Sequence, residues 1–152
     1  GLYPPMSGYY DNKFYAGMGA AIRTELWAAL APGDPDLAVR LAREDACVDH
    51  CADGVEASTF LAAVESALRD LWPDATLGVV AVPDARKGEQ LVLIIEGEDV
   101  STGRIAAHFA AKGLSPLWTP RRILSVKHAP VLGAGKFDYM AAKRMAMENA
   151  AD

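Results

Sequence analysis

The sequence predicts an α+β fold: a small sheet of about three mainly antiparallel strands packed with helices, preceded by a helical N-terminal extension. Three observations lead there. From about Ser58 the apolar spacing runs helix, strand, strand, helix, strand, loop, helix, the order of a small layered domain. Thr76 to Val82 and Gln90 to Ile95 are β-branched apolar runs, and they flank Pro83-Asp-Ala-Arg-Lys-Gly88, a segment rich in turn residues. Earlier in the chain only helical spacing is found, broken by Pro32-Gly33-Asp34-Pro35. The expected division is therefore an N-terminal extension over residues 1–53 and a domain over residues 54–152.

The elements can be justified in order. Gly1 to Asn12 is rich in Gly, Pro and Tyr and has no apolar period, so it is expected to be extended or loosely docked. Ala20 to Leu30 spaces Ile22, Leu26, Trp27 and Leu30 as an amphipathic helix, with Trp27 expected on the buried side. A second helix is predicted from Asp36 to Arg43, with Leu37 and Leu41 on one face. Leu61, Val64, Leu68 and Leu71 form the next stripe, capped by Ser58 or Thr59 and ended by Pro73. After the two strand runs, Ser101 is placed to cap a helix that carries Ile105, Ala106 and Phe109 inward and ends near Gly113. Arg121 to Lys127 reads as a strand buried on both faces, and Asp138 as the cap of a last helix carrying Tyr139, Ala142, Met145 and Ala146.

Composition narrows the function classes. A hydrophobic share of 51%, a charged share of 23% and a net charge of −5 fit a soluble globular chain and argue against nucleic-acid binding. Leu91 to Ile95, the longest strongly apolar run, is far too short to cross a bilayer, and a cytoplasmic location is expected. Cys47 and Cys51 enclose Asp49 and His50, but structural zinc takes four ligands and no second pair is present, so no metal is assigned. The two are read as reduced thiols.

The chemistry-bearing segment is Pro130-Val-Leu-Gly-Ala-Gly-Lys136-Phe-Asp138, between the last strand and the last helix. Gly133 and Gly135 free the backbone so that a lysine can be held on a short loop near a helix N-terminus, where it suits an anion. It is not a Walker A loop. Pro130 stands where that motif has its first glycine, and Phe137 replaces the magnesium-binding Ser or Thr. On local grounds alone the alternative is a hairpin-like turn with a solvated lysine. Of the other polar residues, Asp84, Lys87 and Glu89 cluster on the turn between the strands, and Arg121 and Arg122 open the last strand. Both groups are expected to be solvated or locally paired.

The Pro-x-x-Gly-x-Gly-Lys-x-Asp segment resembles the C-terminal lysine motif of the adenylate-forming, AMP-binding superfamily of acyl synthetases. Val64-Glu65 in a helix, Val79-Val-Ala-Val-Pro-Asp84, Lys87-Gly88-Glu89 and Pro120-Arg-Arg-Ile-Leu stand in the order of that family's C-terminal domain. The resemblance runs from about Ala57 to Met147 and looks closest to the acyl-[acyl-carrier-protein] synthetase part of the 2-acylglycerophosphoethanolamine acyltransferases. It implies a lid domain of a ligase that uses ATP and Mg2+, with Lys136 as the adenylation lysine and Gly133 and Gly135 at the nucleotide. The implied partners are an adenylating core, in cis or in trans, and CoA or acyl carrier protein; the isolated domain is expected to be inactive and to hold no cofactor. The family also has a hinge, for which Asp45 and Asp49 are the candidates, and a glycine pair that Gly54 matches only singly. The competing reading is a non-enzymatic interaction module in which residues 1–53 dock on a partner or pair two copies of the chain.

Overall fold

The computed structural model describes residues 1–86 and 88–149. It divides into two compact units, Gly1–Pro73 and Asp74–Asp152. The boundary between these units falls after Pro73. The helix that bears Leu61 and Leu68 packs on the preceding helices, so its contacts group it with the first unit.

The first unit is helical: α1 Met6–Tyr9, a 3-10 turn Ala21–Arg23, α2 Thr24–Leu30, α3 Pro35–Ala46 and α4 Asp53–Leu71. The N-terminal segment is not extended. Its helical turn is pinned by Ser7, whose hydroxyl donates to the Val48 carbonyl, and by Asn12, whose amide donates to the Gly8 and Asp49 carbonyls. Asp34 starts α3 by accepting from the Leu37 amide at 3.0 Å, with Pro35 in the first turn, where its missing N–H is harmless. The buried face of α3 is Ala38, Ala42 and Ala46, spaced by four; Leu37 and Leu41, which share a face, are half-buried. Small side chains let the helices approach closely. Ala31, Ala38, Ala42 and Ala62 make one cluster under Trp27 and Leu37, and Ala20, Ala46 and Val55 make another. Trp27 is half-buried, as its indole N–H donates to Asp45. Ile22, Leu26 and Leu30 face solvent instead of the core, because Ala21, Thr24 and Ala28 form the inner face. Helix α4 begins at Asp53, five residues before the expected cap. Ser58 and Thr59 are buried within it and donate to the Ala20 and Glu56 carbonyls.

The second unit carries the sheet: β1 Leu77–Asp84, β2 Gly88–Glu96, α5 Thr102–Ala111, a 3-10 turn Pro116–Trp118, β3 Arg122–Val126 and α6 Tyr139–Glu148. Strand order is β1-β2-β3. The hairpin pairs antiparallel, with Val80 opposite Val92, whereas β3 pairs with β2 in parallel, with Leu124 opposite Ile94. The parallel step follows from the connection: α5 carries the chain back along the sheet before β3 begins. Strand β3 is therefore a half-buried edge, and the doubly buried centre is β2, whose Val92 to Ile95 are fully enclosed. One face of the sheet, Val80, Val82, Val92 and Ile94 with Leu124 and Val126, packs on Ala142, Ala146 and Phe137. Ser101 caps α5 and Asp138 caps α6, as expected, while Ala106 is exposed and only Ile105 and Phe109 of α5 are buried. Among the described residues, no helix is long and apolar enough to cross a membrane.

Candidate functional site

The Lys136 loop is built by backbone closure at both ends. Val131 and Phe137 form an antiparallel bridge, the Asp138 amide donates to the Pro130 carbonyl at 2.9 Å, and the Leu132 amide donates to the Lys136 carbonyl at 2.7 Å. The tip closes when the Gly135 amide donates to the Leu132 carbonyl at 2.8 Å. Gly135 has φ of +81°, a left-handed conformation that a β-carbon disfavours, so its glycine is required by the turn. Gly133 has open space around it and an ordinary φ, so nothing in the loop demands glycine there.

Phe137 fixes the loop to the sheet. It is 4% exposed, joins the cluster on the α6 side of the sheet, and meets Tyr139 edge-on with ring centroids 5.1 Å apart. Its ring lies against the bare backbone of Gly78 in β1, where a β-carbon would come to 2.5 Å from a ring carbon. Alternation on extended backbone then puts Lys136 on the opposite side, in solvent. Its amine has no hydrogen bond or ion pair among the described residues.

The helix end adds less than its position suggested. Asp138 accepts from the Met140 and Ala141 amides at 3.1 and 2.9 Å, so the first N–H groups of α6 are already occupied by a carboxylate. Attraction for an anion here comes from the Lys136 charge. Arg122 does not serve an anion either: its guanidinium donates to the Ala146 carbonyl at 3.0 Å and ties the last strand to the end of α6. Arg121 and Glu89 are exposed, Asp84 accepts from the Arg86 amide, and Lys87 lies outside the described residues.

The first unit holds a charged network that sequence reading did not assemble. Arg23 donates to Asp45 at 2.8 Å and bidentately to Asp49 at 2.9 and 3.0 Å. Asp49 also meets Nδ1 of the buried His50 at 2.7 Å. The Arg23 guanidinium holds the Asp49 carboxyl down at about 2 against the opposing effect of burial, with a lesser contribution from the His50 ring. Both hinge candidates are thus braced within Gly1–Pro73, and neither lies where the chain passes between units. Glu65 of the Val-Glu pair is wholly buried, with its carboxylate 3.1 Å from the Thr24 hydroxyl. Arg23 stands 22 and 26 residues from its partners, and no local spacing signals such a pairing.

No family model matches the chain. Among solved structures, part of it is similar to the amide bond synthetase McbA from Marinactinospora thermotolerans, at 30% identity over 56% of this chain and 18% of that one, with a TM-score of 0.47. The Brucella canis acyl-CoA synthetase gives 28% identity over 57% of this chain and 17% of that one, with a TM-score of 0.47. Mycobacterium smegmatis MbtA gives 25% identity over 55% and 16%, with a TM-score of 0.49. In each case the match spans less than a fifth of the larger protein, and about half of the present chain.

Proposed function

We propose that the C-terminal part of this chain is the lid of an AMP-forming acyl synthetase and that Lys136 is its adenylation lysine. The observation that carries the reading is the loop itself: an exposed amine, unpaired among the described residues, next to a residue locked into the sheet. The motif from Pro130 to Asp138 and the order of the upstream segments support it. When a carboxylate approaches the α-phosphate of ATP, negative charge gathers between two anions. One preorganised cationic donor in a closed site then contributes about 2.7–4 kcal/mol. Lys136 would act as an electrostatic clamp, its ammonium a compact point charge on a flexible stem. Gly135 shapes the turn that presents it. The adenine pocket, the Mg2+ ligands and the acyl pocket belong in this reading to an adenylating core, and the thiol acceptor is CoA or acyl carrier protein. Membership of the acyl-[acyl-carrier-protein] synthetase and acyltransferase group, and a cytoplasmic setting, are part of the same proposal.

The test separates the two half-reactions. The chain alone should give no ATP–pyrophosphate exchange. Assembled with its core, the Lys136→Ala variant should lose adenylation by about 10²–10³ in rate, while thioester formation from synthetic acyl-adenylate stays near the parent level. Lys136→Arg should restore little, because a planar fork does not replace a point charge. Equal loss in both half-reactions would remove the clamp role.

A further inference from the structure

The first unit exposes apolar side chains that its own fold leaves uncovered. Met18, Ile22, Leu26 and Leu30 recur every four residues, and the last three are 58%, 53% and 60% exposed. Tyr9 and Phe14, from the preceding segment, are exposed as well. The two segments meet at Asp49: Asn12 donates to its carbonyl at 2.8 Å and Arg23 to its carboxylate at 2.9 Å. They are thus held on one braced support. Tyr9, Phe14, Met18, Ile22, Leu26 and Leu30, all exposed, lie within residues 1–31, and exposed apolar clusters of this kind mark interaction sites.

We infer that this face joins two copies of the chain about a two-fold axis. Charge selects that occupant. Residues 1–31 hold two acids, Asp11 and Glu25, and two bases, Lys13 and Arg23, for a net charge of zero, so the rest of the chain carries the whole −5. Two identical acidic molecules repel least when they meet on their neutral face. A two-fold interface sets one patch against itself, and residues with a four-residue repeat satisfy this when two copies of the segment from the Ala21–Arg23 turn through α2 cross antiparallel, Ile22 beside Leu30. Aromatic residues and methionine are the types enriched at interface centres. An anionic lipid surface fits poorly, because Lys13 is the single lysine of the segment and Arg23 is bound to two carboxylates.

Sedimentation velocity on the 152-residue chain from about 1 to about 100 µM should show a monomer–dimer equilibrium. The Ile22→Glu, Leu26→Glu double variant should raise the dimer dissociation constant by about 100-fold or more. Both sites are exposed, so the variant's circular dichroism should match the parent, and amides 18–30 should lose their concentration-dependent protection from hydrogen exchange. The Leu117→Glu variant, at an exposed apolar site in the second unit, should dimerise as the parent does. A parent chain that stays monomeric, a dimer that survives the double substitution, or occupation of the stripe by a separate adenylating core would each overturn the inference. None of these results depends on Lys136.

Discussion

The helix contacts of α2 and α3 in the first unit and the sheet core of the second bury different kinds of side chain, although α4 also buries Val64 and Leu68. In the first, alanines stand at the helix contacts while Leu26 and Leu30 of α2, and Ile22 of the turn before it, face out. In the second, valines and isoleucines fill the core beneath Phe137, and alanine appears on α6, where helix meets sheet. The contrast teaches that apolar periodicity reports the buried face only where bulk does the filling. Where helices meet closely, small residues mark the inside, and the large residues mark what remains to be covered.

That contrast can be tested by changing bulk in each unit. Removing it from the second should have the larger effect: Phe137→Ala should destabilise by about 3–5 kcal/mol, since the ring is enclosed and lies on Gly78. Denaturant unfolding would measure it, and a change below about 1 kcal/mol would mean that the loop is not anchored as described. Adding bulk should be the sensitive change in the first unit. Ala42→Leu inserts a branched side chain into an alanine contact and should cost about 1–3 kcal/mol. A stabilised variant would show that the helices are loosely apposed and that the alanine core is no core.

The smallest effect concerns charge. Asp49 is held at about 2, below the ordinary 3.8, so its contribution is complete above pH 4 and fades as the pH falls from about 4 to about 2. The carboxyl is about half exposed, 48%, so solvent screening keeps that contribution below about 1 kcal/mol. Asp49→Asn should flatten the first unit's stability over that interval and leave the second unit's acid response unchanged. An identical acid limb in parent and variant would mean that the Arg23 contact is not kept in solution.

How much of this was legible in the sequence follows from the same division. Runs such as Leu91 to Ile95 and caps such as Ser101 and Asp138 are local signals, and the structure places strands and helix starts there. The turn before Lys136 was legible from Gly135, which does need a positive φ, whereas Gly133 is not required by the backbone. The pairing direction of β3 was not, because it depends on where α5 delivers the chain, and so β3 was read as central when it is an edge. The alanine face of α2 was read inside out for want of bulk, and α4 starts earlier than its apolar stripe, at a turn set by Ala52 with φ of +46°. Arg23 reaches Asp45 and Asp49 only through tertiary packing.

The seating of Phe137 on Gly78 bears on what it takes to aim the neighbouring amine. Ordering a free loop costs about 1–2 kcal/mol of backbone entropy for each residue fixed. Here the residue beside Lys136 is already immobilised by an enclosed ring, and the carbonyl of Lys136 itself is hydrogen-bonded across the loop. What remains free when an anion arrives is the four-carbon stem, worth about 2 kcal/mol of rotamer entropy. The lysine thus combines a fixed pivot with a flexible reach, and a single β-carbon at position 78 would unseat the pivot without touching the amine.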